Sequence, residues 1–521
     1  MRFGWRGAGC LPLVLLLAGG ASALEPDPGA ARVRESVRTW RQQNELAVLR
    51  DFVELLSIPN VASSVPDIER NAAAIERRLH ARGFETRRLG SPGEPPTVFA
   101  ERPSPGARRT LVIYVHYDGQ PVDRARWASD PWKPVLRAGR LEDGAHELSL
   151  TSLRAPLDPE WRLYGRSTSD DKAPLAGLLA ALDALEAARI PLSANLKLFL
   201  EGEEEAGSPH IRSTLERERA RLGADLWLLC DGPVHQSRRM QIYFGARGMT
   251  DLELTVYGPG RALHSGHYGN WAPNPALLLA HLLAGLRDAD GQVRVAGFYE
   301  AVRPPSELER RAVAAQPEVD EALRRELGLA ATEASGARLA ERILLPALNV
   351  RGIESGRVGE AASNAIPTEA RASIDFRLVP DQTPEGVREQ VEAHLAREGW
   401  HVVHQTPDET VRLAHPRIVK LDWALGYPAA RAPMDLPASR ALLRVLEEHL
   451  GAPVVTAPTL GGSVPMRLFQ DATGAPIVGL PIANHDNSQH AANENIRLAN
   501  LWDGIEAYAA VLARIGHVWP E

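Results

Sequence analysis

Apolar and polar positions repeat with helical period over residues 31–57, and the run stops at Ser57-Ile58-Pro59-Asn60, where proline ends a helix. The same period predicts a second helix over 68–82. Two short runs follow at 97–100 and 110–115, the second almost wholly apolar, as suits a strand buried on both faces. An alanine- and leucine-rich helix is predicted over 174–189, then strands over 196–200 and 226–230. Strands separated by helices of this length specify an α/β fold, a mostly parallel sheet with helices on both faces. In such sheets ligands bind beyond the carboxyl ends of the strands, which makes a demand on where chemistry should lie.

From 246 to 415 the pattern becomes α+β: residues 250–257 and 370–378 alternate, while 273–286 and 384–397 are helical. The α/β pattern resumes with a helix over 438–450, a buried strand over 476–480 and an amphipathic helix over 499–515. The reading is a main domain built from 24–245 and 416–521, interrupted by an insertion over 246–415. No internal repeat stands out.

Length changes this picture little, since 521 residues exceed what one core usually supports. The first residues change it more. Arg2 and Arg6, an apolar run from Leu11 to Ala18 and Ala21-Ser22-Ala23 form the three parts of a secretory signal, so 1–23 is read as a signal peptide and set aside. A span would need roughly 20 apolar residues, more than this run has. The expected location is secreted or periplasmic, with no membrane association after cleavage. Beyond 1–23 only Cys230 remains, so no intrachain disulfide can form and a small disulfide-stapled module is excluded. The net charge of −7, with both signs mixed along the chain, gives no sign of nucleic-acid binding.

The candidate chemistry sits where the fold rule asks for it. His116 follows the apolar run 110–115, and Asp118 lies two residues on, pointing to the same side. A carboxylate behind an imidazole fixes its tautomer and raises its basicity; a surface or capping pair would read the same way. Asp170-Asp171 precedes the alanine-leucine helix, where either aspartate also serves as an ordinary N-cap. Glu201-Gly202-Glu203-Glu204-Glu205 crowds four carboxylates after a buried strand, an exposed acidic turn unless something positive compensates. Asp231 ends the next strand, and Asn487-Ser488-Gln489-His490, followed by Asn493 and Glu494, completes the set. Together His116, Asp170, Glu205, Asp231 and His490 offer two imidazoles and three carboxylates, a mix suited to zinc, manganese or cobalt and not to soft-metal sites. Three carboxylates balance most of the charge of two divalent ions, which two-metal hydrolases hold roughly 3.5–4 Å apart to acidify a shared water.

These segments, in this order, resemble metallopeptidase family twenty, from about Leu46 to Ile515. His-Tyr-Asp-Gly-Gln-Pro, Leu-Tyr-Gly-Arg and Arg-Leu-Val-Pro are most similar to its carnosinase-like dipeptidase branch. The resemblance implies a catalytic domain interrupted by a lid and dimerisation domain, with two divalent ions per chain, zinc first among the candidates and manganese or cobalt after it. It implies that His116, Asp170 and Asp231 hold one ion and Asp170, Glu205 and His490 the other. Asp118 would orient His116, and Glu204 would act as general base and then protonate the leaving nitrogen. In Leu263-His264-Ser265-Gly266, His264 resembles the residue that reaches into a partner's active site to stabilise the oxyanion, which implies a homodimer. Arg377 resembles the residue that grips the substrate's carboxylate, with Gly462 and Ser463 in the loop beside it. The peptide after Asp170 is expected to be cis.

Ser167 and Ala173 stand where the family usually has glycine, and the stretch 135–159 is longer than the branch normally shows. The expected activity is therefore hydrolysis of dipeptides or short peptides, with N-acyl amino acid amidohydrolysis as the alternative and a non-catalytic binding protein on the same fold as the remote one.

Overall fold

The computed structural model describes residues 27–334 and 336–519, so the segment 1–23 read as a signal lies outside the described residues. Among the described residues no helix is long and apolar enough to cross a membrane.

The first sheet has eight strands in the order Glu85–Leu89, Thr97–Arg102, Asn195–Glu201, Thr110–His116, Leu226–Leu229, Ile477–Gly479, Gln241–Tyr243 and Val455–Ala457. Its four central strands, from Asn195–Glu201 to Ile477–Gly479, run parallel. Side-chain alternation divides the strand Thr110–His116 between two cores: Leu111, Ile113 and Val115 face one, Val112 and Tyr114 the other. The helices Pro28–Leu56, Lys172–Ala187, Pro437–Leu450 and Leu498–Val518 cover the first, and Ile211–Glu218 and Met466–Thr473 the second. This is the mixed α/β architecture with helices on both faces that the hydrophobic pattern specifies. Burying each large aliphatic side chain in these layers is worth about 1.5–3 kcal/mol.

The second sheet runs Ala347–Glu354, Glu369–Leu378, Gly245–Tyr257, Ile418–Trp423, His401–Val403, with the helices Pro275–Leu286 and Pro384–Arg397 packed on it. The strand Ile418–Trp423 pairs with Gly245–Tyr257 from Leu252↔Trp423 to Val256↔Val419. The second sheet thus extends past residue 415, where the change of pattern places its end; a strand belongs to the sheet it pairs with, whatever texture surrounds it. The strand Gly245–Tyr257 links the two parts of the fold. Its first residues pair with Ala430–Arg431 and Leu460–Ser463, and the rest with Glu369–Leu378.

A four-stranded antiparallel sheet, Asn495–Arg497, Arg162–Tyr164, Val135–Arg137 and Glu147–Leu148, takes two short strands from the long stretch 135–159. It ties the chain leading to Asp170 against the chain leaving His490.

Candidate active site

Three neighbouring parallel strands deliver their acidic or imidazole residues to one end of the sheet. Thr110–His116 ends on His116, Asn195–Glu201 leads directly into the turn Glu204–Ala206, and Leu226–Leu229 is followed by Asp231. Asp170 arrives from the opposite side, just ahead of the helix Lys172–Ala187, and the peptide between Asp170 and Asp171 is cis. Asp118 is fully buried, with Oδ1 3.3 Å from His116 Nδ1. Its two oxygens also accept from the backbone amides of Glu204 (3.1 Å) and Glu205 (3.0 Å), so one carboxylate positions both the imidazole and the glutamate turn.

On its other side His116 Nε2 meets Asp170 Oδ1 at 2.8 Å. His490 Nε2 lies 3.2 Å from Asp170 Oδ2 and 3.2 Å from Glu205 Oε2, so Asp170 stands between the two histidines. The ligand atoms fall into two groups, His116 with Asp170 and Asp231, and Asp170 with Glu205 and His490; within each group they lie within 4.8 Å of one another. Glu203, the remaining glutamate of the turn, faces away and accepts from the backbone amide of His210 (3.0 Å) while meeting its Nδ1 (2.8 Å).

The electrostatics of the cluster without cations are unfavourable. Burial, then the charge of Asp170, pushes Glu205 up to about 8 and Asp231 up to about 6. Burial and the neighbouring carboxylates also hold Glu204 well above the ordinary carboxylate range. Conversely, hydrogen bonding to Asp170 and the charge of Glu205 overcome burial and raise His490 to about 9. Asp170 is lowered, because its bonds to His116 and His490 outweigh desolvation. Glu205 Oε1 is buried and has no hydrogen-bond partner. An unpartnered carboxylate oxygen amid crowded acids and raised imidazoles is what divalent cations relieve, and the nitrogen and oxygen donor set fits hard or borderline ions.

Glu494 carries a role that no sequence motif suggested. It is fully buried and accepts from the backbone amides of Ser167 (3.0 Å), Ser169 (2.9 Å) and Asp170 (2.9 Å), from Ser169 Oγ (2.9 Å) and from the Arg166 guanidinium (2.7 Å). The loop that presents Asp170 is therefore wrapped around one carboxylate. Within it Ser167 has φ +62°, a left-handed conformation that glycine adopts more readily, and Asn60 Nδ2 donates to its hydroxyl (3.0 Å). The only trace of Glu494 in sequence was its place four residues after His490.

A cavity of about 390 Å³ opens onto this cluster. Asp170, Glu204, Asp231 and His490 line one end, and Arg377, Gly462 and Ser463 line it too. Arg377 donates to Ser463 Oγ (2.8 Å) and Asp375 (2.9 Å), fixing the plane of the guanidinium. Arg247 donates to Gly461 O (2.8 Å) beside it, and burial with the charge of Arg377 brings Arg247 down to about 10. Arg247 thus lies behind the Gly461 loop, close enough to Arg377 for the two charges to interact. His264 is exposed on the strand Leu263–His264, its Nδ1 accepting from Gly266 N (3.1 Å), and it is not among the residues that line this cavity. A single chain does not bring it to the cluster.

A largely buried cluster of carboxylates and imidazoles, with two overlapping groups that could hold metal ions at the carboxyl ends of a parallel sheet, is the arrangement of a metal-dependent hydrolase. The model of the peptidase family M20/M25/M40 matches residues 112–514, and the chain belongs to that family. It is 27% identical to human Beta-Ala-His dipeptidase over 80% of this chain and 76% of that protein. It is 24% identical to the Cys-Gly metallodipeptidase dug1 of Schizosaccharomyces pombe over 82% and 84%. Among solved structures, an M20 family metallo-carboxypeptidase of Sulfolobus solfataricus superposes with a TM-score of 0.74 at 26% identity, covering 90% of this chain and 99% of the other. The dipeptidases among these relatives agree with the branch that the His116 and Arg377 motifs resemble.

Proposed function

We propose that this chain is an exported dipeptidase that cleaves the amide bond of short peptides carrying a free carboxylate, using two divalent cations that share Asp170. The observation that carries the reading is the shared position of Asp170 between two ligand groups, with Glu204 lining the same cavity as Arg377. His116, Asp170 and Asp231 would hold one ion and Asp170, Glu205 and His490 the other. Zinc leads among the candidates, and manganese and cobalt suit the same donors. Bound ions supply charge to balance the carboxylates and acidify the attacking water.

The chain's own residues do the rest. Asp118 keeps His116 in one tautomer and fixes the turn that carries Glu204. Glu204, which lines the cavity with Asp170 and Asp231, takes the proton from the attacking water and returns it to the leaving nitrogen. Arg377, held by Ser463 and Asp375, grips the substrate's carboxylate and sets its distance from the cluster. We further propose that the segment 246–415, with the strand Ile418–Trp423, acts as a lid through which two chains pair, and that the exposed His264 reaches the partner's cavity. The leader-like residues 1–23 support export, to the periplasm or beyond.

A second reading, hydrolysis of N-acyl amino acids, needs the same cluster and the same carboxylate grip. It is favoured by a 24% identity to a succinyl-diaminopimelate desuccinylase of Alkalilimnicola ehrlichii over 90% of this chain. Hydrolysis of free dipeptides, N-blocked dipeptides and N-acetyl amino acids by zinc- or manganese-reconstituted protein separates the two. Faster cleavage of free dipeptides is expected, and preference for the acetylated series would move the assignment to an amidohydrolase.

A further inference from the structure

The cavity that holds both the cluster and the carboxylate grip carries an apolar patch, part of it from residues 339–344. Ile343 packs on the loop that carries Ser463: a Cβ placed on Gly461 would stand 3.2 Å from Ile343 Cδ1. Leu460 packs on the cluster: a Cβ placed on Gly232, next to Asp231, would stand 3.3 Å from Leu460 Cδ2. Val234, Leu339 and Leu344 line the same space.

Most of the polar residues that share this lining are engaged by the main chain or by one another. Arg338 donates to the carbonyls of Val313 (3.2 Å), Gln316 (3.0 Å) and Pro317 (3.4 Å), with Asp320 at 3.8 Å. Asp320 accepts from Leu339 N (2.6 Å), Gln316 donates to Thr456 O (2.9 Å), and Gln241 donates to Pro233 O (2.7 Å). His235 meets Ser237 at 2.9 Å through Nδ1 and stays neutral, brought down to about 4 by burial and nearby arginines. Arg338 and Asp320 thus face each other and the main chain, with Arg338 Nε left without a hydrogen bond, and burying a charged side chain against Ile343 and Leu460 without a partner is costly.

We propose that this wall is the subsite for the side chain of the residue that bears the free carboxylate, and that it selects uncharged apolar side chains of leucine, methionine or phenylalanine size. The inference rests on the proposed function for its polarity, since Arg377 and Ser463 are taken to hold that carboxylate. The carboxylate-bearing residue then spans from the grip to the scissile bond, and its side chain lies against Ile343 and Leu460.

The test has two arms. The first compares kcat/KM for Gly-Leu, Gly-Met and Gly-Phe with Gly-Asp and Gly-Lys, with Leu-Gly and Asp-Gly as reversed controls and N-acetyl-Leu against N-acetyl-Asp beside them. Roughly tenfold to a hundredfold preference for the apolar members is expected, set by the residue with the carboxylate, and a sharp fall of the Gly-Leu to Gly-Asp ratio in Ile343→Lys. The second arm needs no turnover: calorimetric binding of Gly-Leu and Gly-Asp to metal-loaded Glu204→Gln, where Gly-Leu is expected to bind more tightly. Equal rates, a preference that tracks the amino-terminal residue, or equal binding overturns the inference. Silence toward all substrates with selective binding retained would instead sink the hydrolase reading and leave the subsite standing.

Discussion

Glu494 Oε1 accepts the backbone amide of Asp170 at 2.9 Å, while its other oxygen takes the Arg166 guanidinium and the amide of Ser167. The residue that joins the two cation groups thus has its main chain fixed from the opposite end of the sequence. Glu494→Gln keeps the shape but removes the charge that Arg166 is buried against. Such a loss costs about 3–5 kcal/mol. Urea unfolding of the variant should show a destabilisation of that order, together with weaker retention of metal on dialysis. Unchanged stability would mean that the loop holds Asp170 without this clamp.

Asp118 acts one step behind the cluster, on His116 and on the amides of Glu204 and Glu205. In Asp118→Asn one of those contacts must face an amide nitrogen. Metal affinity or activity should drop about 10–100-fold, as for other residues behind metal-binding imidazoles. Titration with zinc against a competing chelator measures it.

Arg377→Ala should raise KM for a free dipeptide by about tenfold to a hundredfold with a smaller change in kcat, since it removes one or two charge-assisted hydrogen bonds to the carboxylate. The same substitution should make little difference to a dipeptide amide, which lacks the charge. A kcat loss as large as the KM change would place Arg377 in the chemistry instead.

Cation binding should strengthen as pH rises. In the cation-free cluster His490 is raised to about 9 and Glu205 to about 8, so near neutrality both carry protons that an incoming ion must displace. Affinity is therefore weakest in acid, climbs between roughly pH 6 and 9, and levels off once both groups are deprotonated. Calorimetry in buffers of different ionisation enthalpy should register proton release on binding at pH 7. Binding without proton release would contradict the arrangement around His490.

Much of this was legible in the chain because the signals were local. The apolar run before His116 and the alanine-leucine helix after Asp171 carry their periodicity within a few turns, and the helices observed at Pro28–Leu56 and Lys172–Ala187 begin only two or three residues before the periodic runs. The strands Gln241–Tyr243 and Val455–Ala457 were not legible, since three residues cannot display a period and it is pairing with distant strands that makes them strands. Glu494 escaped for the same reason, its partners lying more than three hundred residues earlier. The wall built by Ile343 and Leu460 also depends on an inserted segment folding back over the main sheet. The strand Ile418–Trp423, read as part of the main domain, belongs to the second sheet through its register with Gly245–Tyr257.

The most direct measurement is the activity and metal content of Glu204→Gln beside the unaltered protein, both reconstituted with zinc and assayed on a free dipeptide. Two ions per chain are expected in each, with a fall in kcat of about 10²–10⁴ in the variant, the usual worth of a general base. A variant that keeps its ions and its rate would contradict the role of Glu204, and one ion per chain in the active protein would contradict the shared position of Asp170.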